Sequence, residues 1–347
     1  MKESFSESRH HISRRHFLAL SGTLGLTALS MNFPLPSEAV KFDRSLHKVS
    51  KSRLAMGTVV NMIVFHPSPA QAEEALEESF AEINRLTAFM NRFQNNSYIG
   101  RLNDSGVVSG VPPEVMTVFA ASLLYYQLSG GAFDITVKPL VDLYRESFRT
   151  RQTPPTAEAL LEVKTRIGSA HLRMQKQAIS FERAGMGVTL DGIAKGYIID
   201  QAMQVLQKNR IQHALINAGG DIVVHGGKGK KNPWKIAIQN PWHRNKCLDE
   251  IRLDSGAVAT SGNYEVFFDR EKMFHHLISP TSGAPVHNVA SVTVKASSGM
   301  AADALATAAF VMGARRGASF LSRVSGAEGL IIDKHHHKIL SSGWKQI

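Results

Sequence analysis

Between residues 213 and 296 the sequence sets down short β runs one after another: HALINAGGDIVVHG, WKIAIQNP, LDEIRLD, AVATSG, MFHHLIS and VASVTVKA. Turn residues separate them, and no stretch of helical period intervenes. A further run, TVVNMIVFH (Thr58 to His66), precedes them, and GLIIDKHHHKIL reads as a closing hairpin with its histidine triplet in a solvated turn. Helical patterns group elsewhere. Ser68 is a natural N-cap before Pro69, and Ala75, Leu76, Phe80, Ile83 and Leu86 keep one face. A second helix over PPEVMTVFAASLLYYQL is stopped by Gly130 and Gly131, a third starts at Thr156, and a fourth follows Gly196. Strand clusters with grouped helices make the fold class α+β rather than a doubly wound parallel sheet.

The chain has 347 residues, enough for a large core, and shows no internal repeat. Cys247 is its single cysteine, which excludes an intrachain disulfide and a cysteine-built zinc site. A net charge of +11 favours anionic partners. No basic-aromatic surface pattern accompanies it, so nucleic acid is not an expected partner. The stretch SRRHFLALSGTLGLTALSM pairs Arg14 and Arg15 with a short, Gly/Ser-containing apolar run. It is too short for a comfortable membrane span and reads as a Tat-type export signal over residues 1–39, with small residues at Ser37 to Ala39 for cleavage. Stable membrane insertion is not expected, a periplasmic location is, and the functional domain is placed at 48–347.

Four glycine-bearing segments and one helix carry candidate chemistry. TLDGIAKGYIID (Thr189 to Asp200) reads as strand, tight turn and helix, with Lys195 where a turn approaches an anion. NAGGDIVVHG, ATSGNYE and HHLISPTSGAPV are the others. The helix MAADALATAAFVMG carries a lone acid, Asp303, with Thr307 four residues on. Residues four apart share a helix face, so carboxylate and hydroxyl stand side by side. That pair suits Mg²⁺, which takes few protein ligands and fills its shell with water and substrate phosphate. Equally, Asp303 could cap a helix terminus while Thr307 bonds a carbonyl.

Taken in order, MGT (Met56 to Thr58), GGAFDIT (Gly130 to Thr136), LDGIAKGY, NAGGDI, ATSGNYE, HHLISPTSG and ADALATA resemble the ApbE-like FAD:protein FMN transferase family. The resemblance implies an antiparallel-sheet core with packed helices, T-fold-like, and FAD in a cleft between the sheet and helical parts. It implies FAD contacts at Met56, Phe93, Ala132, Phe133, Asp134, Thr189, Lys195 and Ile278. Mg²⁺ is implied at Asp303 and Thr307, with Ala306 and the Gly192 carbonyl nearby, and His276 is implied as general base. The implied activity moves FMN from FAD to a Thr or Ser hydroxyl of an acceptor flavoprotein, releasing AMP. Implied acceptors are periplasm-facing flavin subunits of membrane respiratory complexes, the nitrous oxide reductase accessory system included. Two departures stand out: Thr189 replaces an acid for which Asp191 could compensate, and Ser279 replaces the aspartate before Pro280. A Mg²⁺-dependent FAD pyrophosphatase and a non-catalytic flavin carrier are the alternatives.

Overall fold

The computed structural model describes residues 38–41, 45–228, 232–243, 245–264, 267–269 and 274–344, all within the compact unit Leu35–Ile347. The expected leader lies outside these residues except for Glu38 and Ala39, which open the first strand. In chain order the strands are β1 (Glu38–Lys41), β2 (His47–Ala55), β3 (Thr58–His66), β4 (Val107–Ser109), β5 (Leu172–Gln175), β6 (Ala178–Phe181), β7 (His213–Ala218), β8 (Asp221–His225), β9 (Trp234–Gln239), β10 (Cys247–Leu253), β11 (Gly256–Gly262), β12 (Val289–Ala296), β13 (Glu328–Asp333) and β14 (Lys338–Leu340). The helices are α1 (Pro69–Met90), α2 (Tyr98–Ser105), α3 (Pro113–Leu128), α4 (Lys138–Arg151), α5 (Ala157–Lys164), α6 (Ala194–Lys208), α7 (Gly299–Met312) and α8 (Ala314–Leu321).

One sheet organises the molecule, in the order β1-β2-β3-β7-β8-β11-β12-β13-β14. Each adjacent pair is antiparallel. The antiparallel core with packed helices is therefore present. Side chains alternate across a strand, and here both faces are buried. On β3, Val60, Met62 and Val64 enter the core beneath the helices, while Ile63 and Phe65 face the other way. On β13, Ile331 points to the helices, and Leu330 and Ile332 to the far side. That far side is covered by the β9–β10 hairpin through Trp234, Ile236, Ile238, Ile251 and Leu253. Leu76, Phe80 and Ile83 of α1 and Ile199, Ala202 and Leu206 of α6 fill the helical side.

The caps sit where the sequence puts them: Ser68 Oγ accepts from Gln71 N–H at 3.4 Å, and Thr156 Oγ1 from Ala159 N–H at 3.3 Å. The histidine triplet is a turn, in which the Asp333 carboxylate accepts the N–H groups of His335 and His337. Two expected strands are absent. The described residues of MFHHLIS, Phe274 onward, make only isolated bridges, Phe267 to His275 and Ile278 to Pro285. Its chain doubles back at once, with Ser279 N–H on Ala284 O at 2.9 Å and Gly283 N–H on Ser279 O at 2.8 Å. Thr189 is not in a strand either: its N–H bonds Ile135 O at 2.8 Å in a loop, and at Val188 just before it a side chain takes the place of a strand neighbour. Asn103 donates to Val188 O at 3.0 Å and accepts from Val188 N–H at 2.7 Å.

Register places the site. Val60 pairs with Ala218, Val258 with Ile222 and Gly262 with Ser291. The β2–β3 turn at Met56, the β7–β8 turn at Gly219, Asp221, and the β11 end at Ser261 thus share one end of the sheet.

Candidate active site

Two helices open with the same spacing, GYIID at 196–200 and GMAAD at 299–303. They cross at their glycines. A Cβ on Gly196 would lie 2.2 Å from Gly299 O, and one on Gly299 would lie 2.7 Å from Gly196 O, so neither position tolerates a side chain. One turn along, each aspartate reaches the other helix. Asp200 accepts from Gly299 N–H at 2.7 Å and Met300 N–H at 2.9 Å. Asp303 accepts from Gly196 N–H at 3.2 Å. The first N–H groups of a helix lack partners and carry partial positive charge, so each acid stabilises the entry of the opposite helix. α6 has no side-chain cap of its own, and Ser298 Oγ caps α7 through Ala301 N–H at 3.2 Å. The capping role foreseen for Asp303 is real, but it serves α6, not its own helix.

Around Asp303 the charges are unequal. Lys195 pairs with Asp221 at 2.8 Å. Arg92 grips Asp191 with Nε at 3.1 Å and Nη2 at 2.9 Å from Oδ2. Asp303 itself forms no ion pair among the described residues. Burial pushes its carboxyl well above the usual range, and the Asp221 carboxylate pushes the same way against the pull of Lys195. Thr307 lies one turn on, its hydroxyl 3.3 Å from Ser261 Oγ. Gly192 presses against that hydroxyl so closely that a Cβ would sit 2.7 Å from it. Ala306, between the two ligating candidates, is fully buried.

This donor set fits a hard divalent cation: a buried carboxylate with one hydrogen bond and no ion pair among the described residues, a hydroxyl and close backbone. No cluster of three or more His, Cys, Asp or Glu suited to a metal exists among the described residues; a cation held at Asp303 and Thr307 would need water or substrate oxygens to complete its shell.

Met56 occupies the β2–β3 turn with φ 52°, half-buried against the core. Thr189 is buried, its N–H on Ile135 O at 2.8 Å and its hydroxyl receiving Asp191 N–H at 3.3 Å. Asp191 therefore turns to Arg92 and does not replace the missing acid inwardly. Phe93 is 61% exposed, with the Arg92 guanidinium 4.2 Å from its ring centre. Ala132 is half-buried, whereas Phe133 is buried edge-on to Tyr125. Asp134 points inward: its carboxylate accepts from Thr136 N–H, Thr136 Oγ1, Ser169 N–H and Ser169 Oγ at 2.6–3.2 Å.

Ile278 is buried against Leu140, Val141 and Tyr144, apart from the crossing. His276 is half-buried beside a fully buried His275. The His275 ring donates through Nε2 to Val286 O at 3.0 Å and accepts Leu277 N–H on Nδ1 at 3.3 Å, which fixes a neutral ring. Burial lowers its pKa to about 4. Ser279 takes a turn-forming role through Ser282 N–H on its Oγ at 3.3 Å. Arg92, Asp200, Asp221 and Ser261 were not singled out from the sequence. The repeated Gly-x-x-x-Asp spacing was the readable signal for Asp200.

A family profile described as the ApbE family matches residues 56–331. A Vibrio cholerae protein named FAD:protein FMN transferase is 32% identical over 283 residues, covering 79% of this chain and 84% of its own length. A Treponema pallidum protein of the same name is 30% identical, covering 83% and 85%. Among solved structures, the ApbE protein of Thermotoga maritima superposes with a TM-score of 0.77 at 28% identity, covering 88% of this chain and 97% of its own. The flavin transferase ApbE of Vibrio cholerae gives 0.74 at 29% identity, covering 88% and 98%. Shared architecture over nearly the whole length, with the helix crossing and its acid inside the matched span, makes this chain a transferase. It belongs to the ApbE family.

Proposed function

We propose that this chain transfers the FMN half of FAD to a Thr or Ser hydroxyl of an acceptor flavoprotein, with Mg²⁺ bound and AMP released. The observation that carries the reading is Asp303: a buried carboxyl with no ion pair among the described residues, one turn from the Thr307 hydroxyl, which lies against the Gly192 backbone. Asp303, Thr307 and the main chain at Gly192 and Ala306 would hold the ion. When bound, Mg²⁺ supplies positive charge to the pyrophosphate and eases departure of AMP.

The chain's own residues do the rest. Lys195, ion-paired at the α6 entry, adds positive charge beside the phosphates. The acceptor oxygen forms its bond to the FMN phosphorus while the bond from that phosphorus to the AMP oxygen breaks, and His276 takes the hydroxyl proton. Met56, the exposed Phe93 ring and the Ala132–Asp134 and Thr189 backbones bound the cleft between sheet and helices for FAD, with Phe133 and Ile278 supporting its walls from within. The acceptor is a flavin subunit of a membrane respiratory complex or of the nitrous oxide reductase accessory system. Export by the Arg14-Arg15 leader would bring enzyme and acceptor together in the periplasm. No helix among the described residues is long and apolar enough to cross a membrane.

The test is purified protein with FAD, Mg²⁺ and candidate acceptor domains, followed by intact mass of the acceptor and assay of AMP. A mass gain of FMN with one AMP per transfer is expected. AMP and free FMN without acceptor labelling would make it a pyrophosphatase, and FAD bound with no AMP would make it a carrier.

A further inference from the structure

We propose that Asp200 is a positioning residue for the metal site, setting the register between the two helices that would supply the ligands. The inference rests on the Mg²⁺ reading above and deepens it. The ligating groups come from two separate pieces of chain: Gly192 precedes α6, while Asp303, Ala306 and Thr307 ride on α7. Their spacing depends on how the two helix entries are held against one another.

Two carboxylates do the holding, in opposite directions. Asp303 holds the entry of α6 by one bond, at 3.2 Å to Gly196 N–H. Asp200 holds the entry of α7 by two shorter ones, with one carboxylate oxygen on Gly299 N–H at 2.7 Å and the other on Met300 N–H at 2.9 Å. A two-pronged carboxylate fixes translation and rotation together, and hydrogen bonds to an ionised acceptor are the stronger kind. Asp303 is also the proposed ligand, so its charge is shared with the cation. Asp200 has no such second task, and the glycine–glycine contact leaves no side chain between the helices to absorb a slip. Loss of Asp200 would let the start of α7 move relative to Gly192 and spread the ligands. Groups that orient metal ligands typically change metal affinity by about 10- to 100-fold when removed.

The experiment is Mg²⁺ titration of the full chain by calorimetry without FAD, on wild type, Asp200→Ala, Asp200→Asn and Ser298→Ala. Ser298→Ala removes a cap from the same helix without touching the crossing, so it controls for general fraying. Amide hydrogen exchange in the central strands β3 and β12 verifies that each variant is folded, and exchange at Gly299 and Met300 reports on the α7 entry. Expected are an affinity loss of roughly 10- to 100-fold for Asp200→Ala, a smaller loss for Asp200→Asn, which keeps one acceptor, and a change under about 2-fold for Ser298→Ala. Wild-type affinity in a folded Asp200→Ala, or equal losses in Asp200→Ala and Ser298→Ala, would overturn the positioning role while leaving the metal site standing. Absence of Mg²⁺ binding in wild type would overturn the metal reading and this inference with it.

Discussion

Asp134 and Asp303 are buried to the same depth, 7% and 6% exposed, and burial pushes both carboxyls upward. Their surroundings differ. Asp134 accepts four hydrogen bonds, all from Thr136 and Ser169, and ties the loop after α3 to the turn before β5. Asp303 accepts one, from Gly196 N–H, with a second acid, Asp221, raising its proton affinity further. A carboxylate closed by its neighbours is part of the scaffold. One left open in the same low-dielectric setting awaits a cation or a proton. The family resemblance implies a ligand role for both residues, and hydrogen-bond accounting separates them.

The largest expected effect breaks the comparison at the open end. Asp303→Ala should cut FMN transfer by roughly a thousandfold, the several kcal/mol that a metal contributes to a phosphoryl transition state. Its urea midpoint should stay near the parental value, because only one hydrogen bond is lost. Parental AMP release by this variant would remove the metal assignment.

The histidine pair poses the same contrast one step down. His276→Ala should lower transfer by about 10²- to 10⁴-fold, as for a lost general base, at near-parental stability. His275→Ala empties a fully buried site packed on Phe310 and leaves Val286 O and Leu277 N–H unpaired. It should cost about 2–4 kcal/mol in urea unfolding, so it is a stability variant and not a neutral control. Equal transfer losses at the two positions, measured in single turnover on folded protein, would give the pair one structural role.

At the closed end, Asp134→Ala should leave four donors without their acceptor and cost about 2–4 kcal/mol of stability. FMN transfer per folded molecule should fall far less than for Asp303→Ala. A stable Asp134→Ala with abolished transfer would reverse the two roles.

The last contrast is a slope, small in the parental protein because two groups offset each other. His275 has its pKa lowered to about 4, so the unfolded chain takes up its proton first, and this group's stability is lost as pH falls from about 6.5 toward 4. Asp200 is raised to about 6 by burial, so the folded chain protonates first, and stability is gained as pH falls from about 6 toward 4. The two oppose each other over nearly the same range, each on the order of 3 kcal/mol. Asp200→Asn should therefore steepen the fall of Tm between pH 6.5 and 4, and His275→Gln should flatten it. Parallel Tm profiles for all three proteins would contradict both assignments.

Much of the fold was legible because its signals are local. Ser68 with Pro69, Thr156 and the Gly130–Gly131 stop are short-range statements about helix ends, and β3, β7, β8 and β12 are plain apolar runs. What was not legible depends on distant partners. β2 reads HKVSKSRLA, polar enough to hide, and is a strand because β1 and β3 flank it. α2 and α4 are rich in polar residues and were missed. Thr189 reads as the start of a strand, but its N–H bonds Ile135 O and the Asn103 side chain takes the main-chain groups of Val188 beside it. At the site, Asp303 and Thr307 could be marked from spacing, while Asp200 and Asp221 acquire their roles only from what the fold sets opposite them.

The helix crossing also has a consequence for how the protein is made. Asp200 meets Gly299 across 99 positions, and Gly196 meets Asp303 across 107. Contacts this distant form late, since the loop between them must close first. During synthesis, an emerging chain can complete the β2–β3 hairpin and α1 long before Thr307 exists. The helix crossing with Asp303 and Thr307 is then one of the last features to arise, and a nascent or C-terminally truncated chain lacks it. Catalytic competence becomes a report that synthesis has passed α7 and that the two helix entries have met.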